Sequence, residues 1–209
     1  MERFPRTATN IITAVTAAAW MIAALLGKSE QAAYALGFIP LRLTGVPVTF
    51  PAVPAVLTPL SATLAHSGLV HLGFNLLILV WCGSQVERVI GPLGIIILYV
   101  VGAYAAAAAQ YGVNPHGAMP MIGASGAISA VMGAFALSYG RARAFTNNLR
   151  VNRSINVLWL MVAWVVLQVM MGWLGNQQGY LLATPAHVGG FAAGLLLQRP
   201  LLLWRYRKA

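Results

Sequence analysis

The sequence predicts an all-α, polytopic membrane protein with six transmembrane helices. Three observations carry that expectation. The chain is 59% hydrophobic and only 8% charged, whereas a soluble domain carries about 25% charged residues to present a polar surface to water. Its apolar residues gather into six segments whose longer members reach across a hydrocarbon core of about 30 Å at about 1.5 Å per residue. Most of its cations lie on one side of those segments when the segments alternate across a bilayer.

The segments fall in order at residues 11–26, 67–87, 93–111, 121–139, 155–174 and 181–203 of a single domain covering 1–209. The apolar heart of the second is short, Leu69–Trp81, and its helix is expected to extend toward Ser67 on one side and to Glu87 on the other. Arg3 and Arg6 ahead of the first segment also fit a signal peptide, although a retained helix is the simpler arrangement. With the N-terminus in the cytoplasm, Arg3, Arg6, Arg88, Arg141, Arg143, Arg150, Arg153, Arg199, Arg205, Arg207 and Lys208 fall on or near that side. Only Lys28 and Arg42 fall outside. The net charge of +10 is thus a topology signal, and no nucleic-acid partner is expected.

The longest connection, 27–66, lies outside between the first two segments. It holds Pro40, Pro47, Pro51, Pro54 and Pro59, and much of it is apolar. Long loops in compact domains are often functional, and one with so few charges is expected to pack on the bundle or lie in the membrane interface.

Composition also excludes chemistry. Glu2, Glu30 and Glu87 are the only carboxylate side chains, and the chain has no Asp. A Ser-His-Asp triad within the chain is impossible, and paired-carboxylate hydrolysis or a carboxylate-bound divalent metal is disfavoured. Cys82 is the single cysteine. One thiol with scattered histidines makes no metal-ligand pattern, so no metal or other cofactor is expected.

In a membrane helix the polar residues are the informative ones, because each unsatisfied polar group in hydrocarbon costs several kcal/mol. Three clusters stand out. His71 and Asn75, entering the second segment, are four apart and share one helix face; both side chains can donate hydrogen bonds. An interhelical bonded pair is the ordinary explanation for such residues. Ser125 lies in Gly123-Ala-Ser-Gly126 at the start of the fourth segment, where Gly126, Ala130 and Gly133 make a smooth stripe. His187 opens the sixth segment one turn before Gly190, and Gly190 with Gly194 makes a second small stripe. Packing of the two stripes against each other would bring Ser125 and His187 together. All three clusters sit near the external ends of their helices, at a depth water can reach.

The arrangement His71-x-x-x-Asn75, Gly123-x-Ser125-Gly126 and Ala186-His187-x-x-Gly190-x-x-x-Gly194 resembles the rhomboid intramembrane serine proteases in their basic six-helix bacterial form. His66, five before His71, and Gly83-x-x-x-Glu87 also fit that pattern. The resemblance implies an endopeptidase that cuts transmembrane segments of other membrane proteins, seated in a bacterial inner membrane with both termini cytoplasmic and its site open to the outer side. Ser125 would be the nucleophile and His187 its general base, acting as a dyad without Asp. His71, Asn75 and the backbone N–H of Ser125 would form an oxyanion hole, with His66, Gly123, Gly126, Ser129 and Gly190 in support. Lipid and transmembrane substrates are the partners it implies. Two departures stand against the pattern: Ser129 occupies the place where many relatives carry a Tyr stacked under the histidine, and the Trp-Arg pair of their first loop is absent, with Leu41-Arg42 in its region. A non-catalytic relative that binds transmembrane segments is the alternative; a transporter fits poorly, because the polar residues cluster at one end instead of crossing the bilayer.

Overall fold

A computed structural model describes residues 7–139, 146–175 and 183–207. Those residues form helices and turns with no strand; one isolated antiparallel bridge joins Phe38 to Met121. The long helices are α1 (Ala8–Leu25), α4 (Leu69–Ile78), α5 (Ser84–Val113), α6 (Ser125–Tyr139), α7 (Leu149–Gly175) and α8 (Thr184–Arg205); between α1 and α4 lie two short ones, α2 (Ser29–Leu36) and α3 (Thr58–Ser61). Three stretches of the described chain are long and apolar enough to cross a membrane: Ala8–Leu25, Leu69–Val113 and Leu149–Leu167.

The middle stretch, 45 residues long, is two antiparallel runs rather than one straight helix. A π-helical turn at Leu79–Gly83 joins α4 to α5, and α5 is broken at Gly91, whose φ of 82° is outside the helical range, just before Pro92. Neighbours fix the directions on either side. Before the break the chain runs parallel to α6: the His71 ring lies against Gly123, Trp81 meets Phe135, and the Gln85 carbonyl accepts from the Tyr139 hydroxyl. After it the chain runs antiparallel to α6, with Gly102 against Ala130 and Ala106 against Gly126. The chain therefore reverses at Gly91-Pro92. Pro92 has no N–H to donate, so carbonyls of the preceding turn lose their partner. Arg205, from the end of α8, donates to the carbonyls of Glu87 and Arg88 there, a favourable place for a cation at a helix C-terminus.

α4 begins at Leu69, two residues after the expected 67, and helix starts differ further from the sequence expectation at three places, each for a local reason. α1 begins at Ala8 rather than residue 11: Thr7 accepts from the N–H of Asn10, and the buried Glu87 carboxylate accepts from the N–H groups of Ala8 and Thr9 and from the Thr9 hydroxyl. α7 begins at Leu149 rather than 155, because the Asn148 side chain accepts from the N–H groups of Arg150 and Val151, a capping arrangement that holds even polar residues in helix. α6 begins at Ser125 rather than 121. Met121 is engaged in its bridge with Phe38, the N–H of Gly123 donates to Ala62, and Gly123 has φ +107°. The start of the sixth segment expected at residues 181 and 182 lies outside the described residues.

The connection 27–66 packs on the bundle, as expected of so apolar a loop. The Tyr104 hydroxyl of α5 bonds the Val56 carbonyl and the Leu41 N–H bonds the Gly117 carbonyl, while the Ser61 hydroxyl ties the segment to itself at the Leu36 carbonyl. Arg42 donates through Nη2 to Val53 within the same segment.

Helices α5, α6 and α8 form the most closely packed unit. Small residues are the reason. A Cβ on Gly190 would run into the Gly126 carbonyl, one on Gly194 into the Ala130 carbonyl, and one on Gly133 into the Phe191 carbonyl. The two small stripes of the sequence do face each other, backbone against backbone, as small residues permit in membrane helix pairs.

Candidate active site

Ser125 is the first residue of α6 and His187 sits in the first turn of α8, so two parallel helices present their N-terminal ends side by side. The Ser125 Oγ lies 2.9 Å from His187 Nε2. Both are nearly buried, at 7% and 4% exposure, which fixes the pair against loss to solvent. Among the described residues His187 Nδ1 is buried without a hydrogen-bond partner, and no carboxylate stands behind the imidazole.

The start of α6 and His71 are brought to this pair by different routes. The first intrahelical bond of α6 runs from Ile128 N–H to the Ala124 carbonyl, so the N–H groups at its start, that of Ser125 among them, have no intrahelical acceptor. They also lie at the positive end of the helix dipole. Gly123 brings His71 to the same place: a Cβ there would be 2.7 Å from the His71 Cε1 and Nε2. Its positive φ and this close approach together demand glycine. Asn75, one turn along α4, is 1% exposed and donates through Nδ2 to the His71 carbonyl.

His66 supports rather than faces the pair. Its Nε2 accepts from the Ala124 N–H at 3.3 Å, and its ring stands edge-on to His71 with centroids 4.9 Å apart. Burial, and then the neighbouring His71, push the His66 imidazole down to about 3, so it is neutral in ordinary conditions and free to accept. Trp20 of α1 anchors the same stretch by donating to the His66 carbonyl.

Ser129 does not stack under His187. Its hydroxyl donates to the Ser125 carbonyl and accepts the indole N–H of Trp164, both at 2.7 Å. Among the described residues no aromatic ring packs face-on against His187. Trp164 is a residue sequence reasoning missed; it is 2% exposed and also stacks with Phe74. The available signal was that a buried indole N–H needs an acceptor, and Ser129 is the acceptor.

The rhomboid domain family model matches residues 55–204, a range that takes in every residue just described except Trp20. The chain belongs to the rhomboid family. It is 28% identical over 138 residues to RHOMBOID-like protein 5 of Arabidopsis thaliana, covering 66% of this chain and 41% of that protein. It is 28% identical over 149 residues to RHOMBOID-like protein 4 of the same plant, covering 69% of this chain and 34% of that protein. This rhomboid chain therefore spans less than half the length of those two relatives. Family and apolar helices together make it an integral membrane protein.

Proposed function

We propose that this rhomboid protein is an intramembrane serine endopeptidase that cuts peptide bonds in or near transmembrane segments of other membrane proteins. The observation that carries the proposal is the 2.9 Å contact between Ser125 Oγ and His187 Nε2, held at the N-terminal ends of two closely packed helices.

A serine hydroxyl is a poor nucleophile until a base takes its proton. His187 Nε2 accepts that proton as Ser125 Oγ attacks the scissile carbonyl carbon. The resulting tetrahedral oxyanion is met by the Ser125 N–H, His71 and Asn75, in a site with little water to screen them. His187 then returns the proton to the leaving amine; in the second half it deprotonates a water that attacks the ester and passes that proton to the departing Ser125 Oγ, which frees the acid product and restores the dyad. No Asp takes part. An ionised carboxylate behind His187 would be costly at this depth.

The substrate must offer an unwound peptide bond at the site's depth, so transmembrane segments carrying helix breakers and small residues are its expected substrates. The positive-inside pattern of the chain supports cytoplasmic termini and a site that opens to the outer side, and the resemblance to the six-helix bacterial form implies a bacterial inner membrane. A fluorophosphonate probe tests the nucleophile. Labelling of wild type but not of Ser125→Ala supports the proposal. No labelling of wild type, beside a labelled active relative, favours a non-catalytic protein that binds transmembrane segments.

A further inference from the structure

His71 has two ring nitrogens with different surroundings. Nδ1 lies 3.4 Å from the backbone N–H of Ser67 and 3.1 Å from the Ser67 hydroxyl. A backbone N–H can only donate. In a neutral imidazole the nitrogen that accepts carries no proton, so the proton resides on the other one. That other nitrogen, Nε2, is the atom against Gly123 at the threshold of Ser125, and none of the described residues accepts from it. The neighbouring imidazole is arranged the opposite way: His66 Nε2 accepts from Ala124 N–H, which leaves the His66 proton on Nδ1.

We infer that Ser67 is a positioning residue which fixes His71 as the Nε2–H tautomer and so aims a donor at the oxyanion position. The inference rests on the proposed hydrolytic function for its purpose but not for its geometry. With the opposite tautomer His71 would present a lone pair to a developing negative charge, which repels instead of stabilising it. The Ser67 backbone N–H favours the productive tautomer in any variant, and the hydroxyl adds a second donor and orients the ring. His66 complements this by occupying the Ala124 N–H with a nitrogen that cannot donate, so that the Ser125 N–H is the first unpaired backbone donor of α6 available to the incoming oxygen. Sequence spacing alone held no sign of Ser67, because its effect depends on the turn that folds residue 67 back over residue 71.

The decisive measurement is 15N NMR of the purified full chain in micelles, with histidine ring nitrogens labelled and His71 assigned by loss of its signal in His71→Gln. The expected spectrum shows His71 with a bare Nδ1 and a protonated Nε2. A protonated Nδ1 overturns the inference, whether or not the protein cleaves anything. Kinetics give the second arm. Ser67→Ala is expected to lower kcat roughly fivefold, the worth of one neutral hydrogen bond, with KM unchanged, and Ser67→Thr is expected to restore it. A role limited to capping α4 would shift thermal stability alone; unchanged kcat in a folded Ser67→Ala overturns the inference. Complete inactivity of wild type would instead contradict the proposed function, and the NMR result would still decide the tautomer.

Discussion

Trp164 donates its indole N–H to the Ser129 hydroxyl at 2.7 Å, and so ties α7 to α6 one turn below Ser125. The two ends of this bond are not equivalent. In Ser129→Ala the buried indole N–H loses its acceptor, which costs about 1–3 kcal/mol, whereas Trp164→Phe removes the donor and leaves the Ser129 hydroxyl bonded to its own helix at a smaller cost from that bond. Thermal unfolding in detergent should therefore place Ser129→Ala below wild type. The double variant should be less unstable than the sum of the two single variants. Equal and additive shifts would show that the bond does not form.

Gly190 tests the packing that aligns the dyad. An added methyl group meets the Gly126 carbonyl, and overpacking of this kind costs about 1–3 kcal/mol. Gly190→Ala is expected to move α8 off α6 and lower fluorophosphonate labelling of Ser125 at least tenfold. Gly73→Ala is the control: it lies on the same helix as His71 with open space around it and should leave labelling unchanged.

Glu87 accepts three hydrogen bonds at the start of α1. Two are from backbone N–H groups that the helix leaves unpaired, and bonds to a charged group contribute about 1.5–3 kcal/mol. Glu87→Ala should lower the unfolding temperature clearly. Because Glu87 bonds α1 rather than the dyad, the folded fraction at low temperature should still label at Ser125.

The pH dependence of stability follows from His66. Its imidazole is held down to about 3 by burial, against about 6.5 in an unfolded chain. Below 6.5 the unfolded state binds a proton that the folded state refuses, so stability is full above about pH 6.5 and declines as pH falls toward 3. His66→Gln removes this contribution and can still accept from the Ala124 N–H. The variant's unfolding temperature should fall less steeply than that of wild type between pH 6.5 and 4; identical slopes would contradict the buried neutral state of His66.

Much of the site was legible in the sequence because polar residues are conspicuous among apolar ones. Ser125, His187, His71 and Asn75 stood out for that reason, and the facing glycine stripes gave the pairing of α6 with α8. The apolar pattern located the helices but missed their starts, which are set by single side chains: Asn148 on α7, Glu87 on α1 from a distant helix, and the Gly123 turn on α6. Ser129 looked like a loss, since it displaces an expected aromatic ring; the partner that explains it, Trp164, is 35 residues away on an apolar helix where one tryptophan looks like another. Ser67 was invisible for a similar reason, because its bond to His71 depends on backbone geometry just ahead of α4.

The central claim is that Ser125 cuts with His187 as its base. The most direct test is cleavage of a helix-poor transmembrane substrate by purified protein in liposomes. Wild type should cut. Ser125→Ala and His187→Ala should each fall by a factor on the order of 10⁴ or more, as when either member of a serine–histidine pair is removed, while unfolding at the temperature of a folded protein. Cleavage by folded Ser125→Ala at the wild-type rate would contradict it.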